Sequence, residues 1–154
     1  MDGRNELDET PYNIIHIASH AQFGSRPEDT FLLAHDGRMG MDALEQLLRP
    51  SVLRDQPVEL ITLSACETAA GDDRAALGLA GIAIKAGARS ASATLWPVAD
   101  DAAARVATEF YRGLSDPELS KAEALRRAQV ALLNEPKHDH PFFWAPFLLI
   151  GNWL

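Results

Sequence analysis

The sequence contains a single cysteine among its 154 residues. An internal disulfide is therefore excluded, and this scarcity favours a reducing compartment such as the cytoplasm. Long apolar runs are also absent, since no stretch approaches the roughly 20 residues that a membrane-spanning helix needs. The first residues, Met1 to Glu6, lack the apolar core of a signal peptide. We therefore expect a cytoplasmic globular protein.

Basic residues are outnumbered, with 14 lysines and arginines against 22 aspartates and glutamates, so the formal net charge is −8 at pH 7. A chain of this charge repels the phosphate backbone of nucleic acids and anionic membrane surfaces, and we expect neither as a direct partner. Hydrophobic residues reach 47 % and charged residues 23 %, which is ordinary for a globular protein. The length suits one domain, and we predict that residues 12–154 form it after a polar lead-in at 1–11.

The segment 58–71 organises the rest of the chain. It begins with an apolar run typical of a strand buried on both faces of a parallel sheet. The run stops at Ser64, where small residues take over, and Cys66 follows. A lone cysteine is more often a small buried apolar residue than a reactive one. Its position beyond the apolar run, next to polar Glu67, favours a reactive thiol at the carboxyl end of a strand, where chemistry collects in α/β sheets.

A second strand, predicted over 12–18, is followed by His20. If the two strands are parallel neighbours, His20 and Cys66 emerge at the same edge of the sheet. An imidazole beside a thiol takes its proton and produces the thiolate that attacks a carbonyl group. His16 lies inside the strand, and we interpret it as a hydrogen-bonded histidine of the core.

The remaining elements alternate between strands and helices. Apolar spacing and turn residues predict strands over 12–18, 58–63, 88–95 and 146–150, a hairpin at 31–34 and 37–41 around His35, and helices over 42–50, 74–86, 100–114 and 120–133. Asp42 and Ser120 are the predicted N-caps, Pro50 is predicted to end the first helix, and residues 20–29 are predicted as a loop. This order is typical of an α/β fold with a mainly parallel sheet and helices on both faces. His138 and His140 flank Asp139 in a predicted solvated loop, and we expect no metal site and no cofactor.

Five motifs occur in order along most of the chain, and together they resemble a CHAT domain. They are His16–His20, Leu63–Ala69, Leu95–Asp100, Phe110-Tyr111 and Pro141–Phe147. CHAT domains are caspase-like peptidase domains usually found with tetratricopeptide repeats. The resemblance implies a three-layer α/β/α sandwich with an antiparallel last strand. It also implies a cysteine endopeptidase with a Cys66–His20 dyad, a protein substrate, and a repeat or sensor domain in the full-length protein. His20 lies 46 positions before Cys66, which fits the caspase pattern, whose histidine lies about 50 residues upstream.

Two departures from the family pattern bear on activity. Ala21 stands where the family usually has glycine, which is compatible with activity unless that position needs a positive φ. The family also has strands before the histidine strand, which leads us to expect a domain incomplete at its N-terminus. The strand at 12–18 would then be an exposed apolar edge prone to self-association, and the isolated chain would show weak or no peptidase activity.

The remaining roles follow from what the resemblance implies. Backbone N–H groups of Ala21 and Cys66 would hold the oxyanion. Ser64, Trp96 and Asp100 are candidates for the pocket that binds the residue before the scissile bond, although Trp96 also suits the core and Asp100 also suits a helix start. Two other functions stay open. One is a catalytically inactive interaction module with the same fold, acting in signalling or assembly. A flavodoxin-like binding domain is less favoured, because no glycine-rich phosphate loop follows a strand.

Overall fold

The computed structural model describes residues 12–19, 21–22, 30–35, 37–53, 57–63 and 75–154. The strands of this part of the chain are β1 Ile14–Ile17, β2 Ala21–Gln22, β3 Phe31–Ala34, β4 Gly37–Gly40, β5 Leu60–Leu63, β6 Ser90–Thr94 and β7 Phe147–Gly151. The helices are α1 Met41–Leu53, α2 Ala75–Lys85, α3 Asp100–Leu114, α4 Lys121–Leu133 and α5 Pro141–Trp144. The predicted alternation of strands and helices is confirmed.

The main sheet has the strand order β1-β5-β6-β7. β1, β5 and β6 are parallel, and β7 runs antiparallel to β6, as predicted. All four residues of β5 are buried, because helices cover both faces of this central strand. The result is a caspase-like α/β sandwich with its parallel strands ending at one edge.

The predicted hairpin is confirmed as β3 and β4, with His35 exposed in its turn. Gly37 follows the turn at a φ of 144°, a conformation that residues with a side chain rarely adopt. The hairpin belongs to a separate sheet of three strands, in the order β2-β3-β4. β2, which pairs with β3, was missed because its segment was predicted as a loop.

On one face of the main sheet, α2 packs on β6, and α1 packs against α2 and the hairpin strand β4. Ile61 and Leu63 of β5 face this side, where they join a core made largely of small residues of α2 and β6. Its buried alanines are Ala80, Ala83, Ala86, Ala88, Ala91 and Ala93. Small side chains on both partners let the helix backbone lie close to the sheet.

The opposite face carries α3 and α4. Leu60 of β5 and Phe147 of β7 meet a core in which Phe110 of α3 and Leu132 of α4 are fully buried. Where β6 faces these helices it presents polar residues, Ser90, Ser92 and Thr94, all of them buried. The Ser90 hydroxyl donates a hydrogen bond to the carbonyl of Glu59, which satisfies one of these polar groups inside the protein.

The ends of α1 and α4 show which local sequence signals predicted a helix end correctly. Ser120 caps α4 as predicted, its Oγ accepting a hydrogen bond from the N–H of Glu123 at 3.2 Å. The prediction that Pro50 ends the first helix was wrong, since α1 continues to Leu53. The φ of proline, near −65°, lies in the helical range, so a helix can continue through it, although the proline removes one hydrogen bond and its ring crowds the preceding turn. Asp42, predicted to cap α1, lies within its first turn instead.

Among the helices of the described ranges, none combines the length and apolar character required to cross a bilayer.

Candidate active site

The three parallel strands end side by side. Ile17 at the end of β1 is the register partner of Leu63 at the end of β5, and Leu63 is in turn the partner of Ala93 near the end of β6. The chain therefore leaves the sheet at the same edge three times. In open α/β sheets this edge collects ligand-binding and catalytic residues.

The predicted dyad, His20 and Cys66, lies outside the described residues, as does the pocket candidate Ser64. The described strands nevertheless fix where each segment starts. His20 and Cys66 each come three positions after a strand end, and those ends, Ile17 and Leu63, are paired directly. The parallel neighbours that the dyad requires are thus present.

The residues on either side of His20 are both tied to β3. Ser19 donates a side-chain hydrogen bond to the carbonyl of Leu33. Ala21 begins β2 and pairs with Leu32. A strand residue has an extended backbone with negative φ, which alanine adopts without strain. Alanine at position 21 is therefore compatible with the local backbone.

Trp96 lies two residues beyond the end of β6, partly buried. Its indole stacks on Phe142 of α5, with ring centroids 6.3 Å apart and planes inclined by 28°. The indole N–H also donates to the carbonyl of Phe142 at 2.9 Å. Trp96 is accordingly a fixed aromatic surface at the carboxyl edge of the sheet rather than a fully buried core residue, and the pocket interpretation stays a prediction.

Asp100 and Asp101 form the first turn of α3 and have different surroundings. Asp101 accepts a hydrogen bond from the N–H of Ala102 at 2.9 Å and pairs with Lys137. Lys137 is the main cause that lowers the pKa of the Asp101 carboxyl. Asp100 is exposed at the helix start, and Ala99 precedes it as the N-cap residue without a side-chain cap. The Asp101 carboxylate is thus engaged in local contacts, whereas the Asp100 carboxylate is exposed at this edge.

The loop before α5 differs from its prediction in one residue. Asp139 and His140 are exposed, but His138 is buried, with 6 % of its surface exposed. Its Nδ1 lies 3.0 Å from Glu135 Oε2, and its Nε2 lies 3.4 Å from Asp101 Oδ2. Sequence reasoning missed this contact because the residue is surrounded by charged and polar neighbours, which indicate solvent. In the described part of the chain, no cluster of three or more histidine, cysteine or carboxylate residues has the geometry of a metal site.

His16 is hydrogen-bonded as predicted, but its placement in the core was wrong. It is exposed on β1, the edge strand, and its Nδ1 lies 2.9 Å from the hydroxyl of Tyr111 on α3. The part of the ring that contacts Tyr111 is desolvated, which lowers the pKa of the imidazole. Burial also raises the pKa of the Tyr111 hydroxyl. His16 lies one residue before the end of β1, and its contact with Tyr111 joins this strand to α3.

The strand order, the antiparallel last strand and the helices on both faces define a protein of the caspase-like α/β class. Comparison with protein families gives a match to the CHAT domain over residues 4–152, nearly the whole chain, and the protein belongs to this family of caspase-like, cysteine-peptidase-related domains. A search of curated proteins found no match.

Proposed function

We propose that the protein is a cysteine endopeptidase in which Cys66 is the nucleophile and His20 the acid–base residue. The observation that supports this proposal is the direct pairing of Ile17 with Leu63, because each predicted catalytic residue follows its paired strand end by the same number of positions. Membership of the CHAT family supports the same assignment. We further propose that the protein acts in the cytoplasm, where its one thiol stays reduced.

The reaction would proceed in two halves. His20 takes the thiol proton, and the Cys66 sulfur attacks the carbonyl carbon of the scissile peptide bond. Backbone N–H groups of Ala21 and Cys66 stabilise the oxyanion that forms. His20 then returns the proton to the leaving amine, which departs with the breaking C–N bond. Water hydrolyses the resulting thioester and regenerates the thiol, with His20 acting as base.

For specificity we propose a pocket bounded by Ser64, Trp96 and Asp100. Trp96 supplies a fixed aromatic surface, and Asp100 supplies an exposed carboxylate at the same edge. None of the three offers a positive charge to an acidic substrate residue. A profile of cleaved peptides should therefore not be dominated by aspartate before the cut, and a strong aspartate preference would exclude this pocket.

Cys66 gives a direct experiment because it is the sole cysteine, so that one mass increment after alkylation reports this residue. Alkylation by iodoacetamide should be fast near neutral pH in the wild type and markedly slower in His20→Ala, since the thiolate loses its partner. His35→Ala is the matched control, because His35 is exposed in the hairpin turn. Equal rates in all three proteins between about pH 5 and 9 would contradict the dyad.

Proteolysis itself is the second experiment. Cys66→Ala should abolish cleavage of a substrate and leave the unfolding midpoint nearly unchanged. The substrate to be found is a protein, and we propose that a repeat or sensor domain of the full-length protein controls access to it. Undiminished cleavage by Cys66→Ala would rule out the nucleophile.

One observation favours a second candidate function, that of an interaction module. β1 is the edge of the main sheet in the described residues, and it lacks the lysine and proline that protect exposed edges. Tyr12 and Ile14 are exposed there to 40 % and 42 %. We propose self-association through this edge. Sedimentation should show a dimer in the wild type that Ile14→Lys dissociates, and a monomer at all concentrations would contradict it.

A further inference from the structure

His138 links two separate helices from a buried position. The imidazole lies between Glu135, just after α4, and Asp101, in the first turn of α3. The Glu135 contact has hydrogen-bond length, whereas the Asp101 contact at 3.4 Å is an ion-pair distance too long for a well-formed hydrogen bond. Nε2 is buried and aimed at the Asp101 carboxylate. The ring therefore connects the start of α3 with the loop that follows α4.

Other charged groups hold the two carboxylates in place. Glu135 accepts from Arg105 Nε at 2.7 Å, and Asp101 pairs with Lys137. The Arg105 guanidinium, followed by the hydrogen bond from His138, lowers the pKa of Glu135. Each carboxylate thus has a cation of its own on the solvent side. His138 lies on the buried side of both carboxylates, where a hydrogen bond is electrostatically stronger than in water.

The same imidazole begins a chain of ring contacts that leads to Trp96. His138 meets Phe143 edge-on, with ring centroids 5.2 Å apart. Phe143 meets Phe142 edge-on at 5.7 Å, and Phe142 stacks on Trp96. Edge-to-face and offset-stacked aromatic pairs have defined geometries, so a displaced ring displaces its neighbour. His138 is therefore connected to both ends of the segment 96–100, through Asp101, which directly follows it, and through the rings of Phe143 and Phe142, which lead to Trp96.

We propose that His138 is the positioning residue of the segment 96–100, which carries Trp96 and Asp100. The inference rests on the proposed function only in its consequence for substrate binding. That consequence is that His138 shapes the specificity pocket without touching the reacting atoms. The segment emerges from β6 at the carboxyl edge of the sheet and has no regular structure of its own up to α3. Its position accordingly depends on contacts from the loop opposite, and His138 is the buried residue of that loop.

The position of Trp96 can be measured without any substrate. The chain has three tryptophans, and incorporation of 5-fluorotryptophan gives three ¹⁹F resonances that Trp→Phe variants assign. His138→Ala should shift or broaden the Trp96 resonance and leave that of Trp153, which lies by the other end of α4, unchanged. His138→Asn keeps a donor toward Glu135 and should restore part of the shift. A folded His138→Ala protein with an unmoved Trp96 resonance would overturn the proposal.

Two further variants serve as a control in the same loop and as a substitute in case His138→Ala does not fold. His140→Asn removes the neighbouring histidine of the same loop but keeps an N-cap for α5, so it should leave Trp96 unmoved. If His138→Ala does not fold, Phe143→Leu decides the question, because it interrupts the ring contacts and retains apolar volume. Trp96 should move in this variant too, and an unchanged resonance in the folded protein would equally overturn the proposal.

The consequence for substrate is tested on Cys66 with a peptidyl chloromethyl ketone that ends in arginine. In His138→Ala the concentration for half-maximal inactivation should rise by roughly three- to ten-fold, the effect of one lost hydrogen bond, while the limiting rate and the reaction with iodoacetamide stay near wild type. A lower limiting rate with an unchanged half-maximal concentration would refute a role in the pocket. If the full-length wild type shows no saturable inactivation, the proposed peptidase function fails, and the ¹⁹F result alone still decides whether His138 positions Trp96.

Discussion

On one face of the main sheet, α2 packs closely on the small side chains of β6, whereas on the other face α3 and α4 pack chiefly on each other. The first core is dominated by alanines and by Ile61 and Leu63. The second contains Phe110, Leu132 and Phe147, and the β6 side that faces it is polar. Close approach of a backbone is therefore achieved between helix and sheet on one side and between two helices on the other. An added methyl group between α3 and α4 should therefore be poorly tolerated.

The largest effect is expected where one ring fills the second core. Phe110 is 2 % exposed, and Phe110→Ala should lower the free energy of unfolding by about 3–5 kcal/mol, since it removes apolar burial and leaves a cavity. Urea unfolding measures this loss in the free energy of unfolding. Leu133→Ala on α4 is the control, because this leucine is 41 % exposed and should cost less than about 1 kcal/mol. Equal losses in the two variants would mean that α3 and α4 do not share the core described here.

Two helix glycines, one at the contact between α3 and α4 and one on the exposed side of α2, are expected to respond differently to alanine. A Cβ on Gly113 of α3 would lie 2.8 Å from the Cβ of Ala124 on α4, whereas a Cβ on Gly81 of α2 would meet nothing within 4 Å. Gly113→Ala should therefore destabilise the protein by about 1–3 kcal/mol through overpacking. Gly81→Ala should stabilise it by about 0.5–1 kcal/mol, because alanine is the better helix former. A Gly113→Ala variant as stable as Gly81→Ala would contradict the close contact between α3 and α4.

The end of α4 gives a smaller effect. Ser120→Ala removes the hydroxyl that accepts from the N–H of Glu123, and should cost about 1 kcal/mol. Ser120→Asn should keep most of the stability, because asparagine caps equally well. Thermal and urea unfolding of both variants provide the comparison. An alanine variant as stable as the wild type would show that tertiary packing alone sets where α4 begins.

The smallest effect concerns charge on the exposed side of α4. Arg126, followed by Arg127, lowers the pKa of Glu123 from an ordinary value of 4.5 to about 2. The folded-state pKa lies below the unfolded one, so this contribution is present above pH 4.5 and is lost as the pH falls toward 2. Glu123→Gln should flatten that part of the stability–pH curve slightly, and less so in high salt because the group is exposed. A curve of unchanged slope would indicate that solvent screens the pair completely.

Much of this architecture could be predicted from local patterns, and the failures have specific causes. The run 60–63 and the capping serine Ser120 carry short-range signals, and both were placed correctly. β2 was missed since two residues carry no periodicity, and its pairing with β3 is a tertiary contact. α5 was missed although His140 and Pro141 form a helix start, with proline at its first position, because four residues are too few for an apolar pattern.

The candidate site likewise has features that could be predicted from the sequence and features that could not. The strand ends that precede His20 and Cys66 could be predicted, since buried strands and small loop residues are visible in the sequence. The burial of His138 could not, because it depends on carboxylates 37 and 3 residues away along the chain, Asp101 and Glu135. The exposure of His16 likewise follows from its strand being at an edge, which periodicity does not report.

The antiparallel pairing of α3 with α4 also has a consequence for the order in which the protein folds. These helices are joined by a short connection at 115–120, so their contacts close a small loop. Pairing β1 with β5 joins Ile14 to Leu60 and must close a loop of more than 40 residues. We expect the helical pair to form early and the first strand to join last. Folding kinetics of Leu125→Ala and Ile15→Val would check this, with a high φ-value at Leu125 and one near zero at Ile15. We therefore expect the helical unit to form before the strand that leads into His20 pairs with β5. The assembly of the proposed catalytic pair would then be the final event of folding.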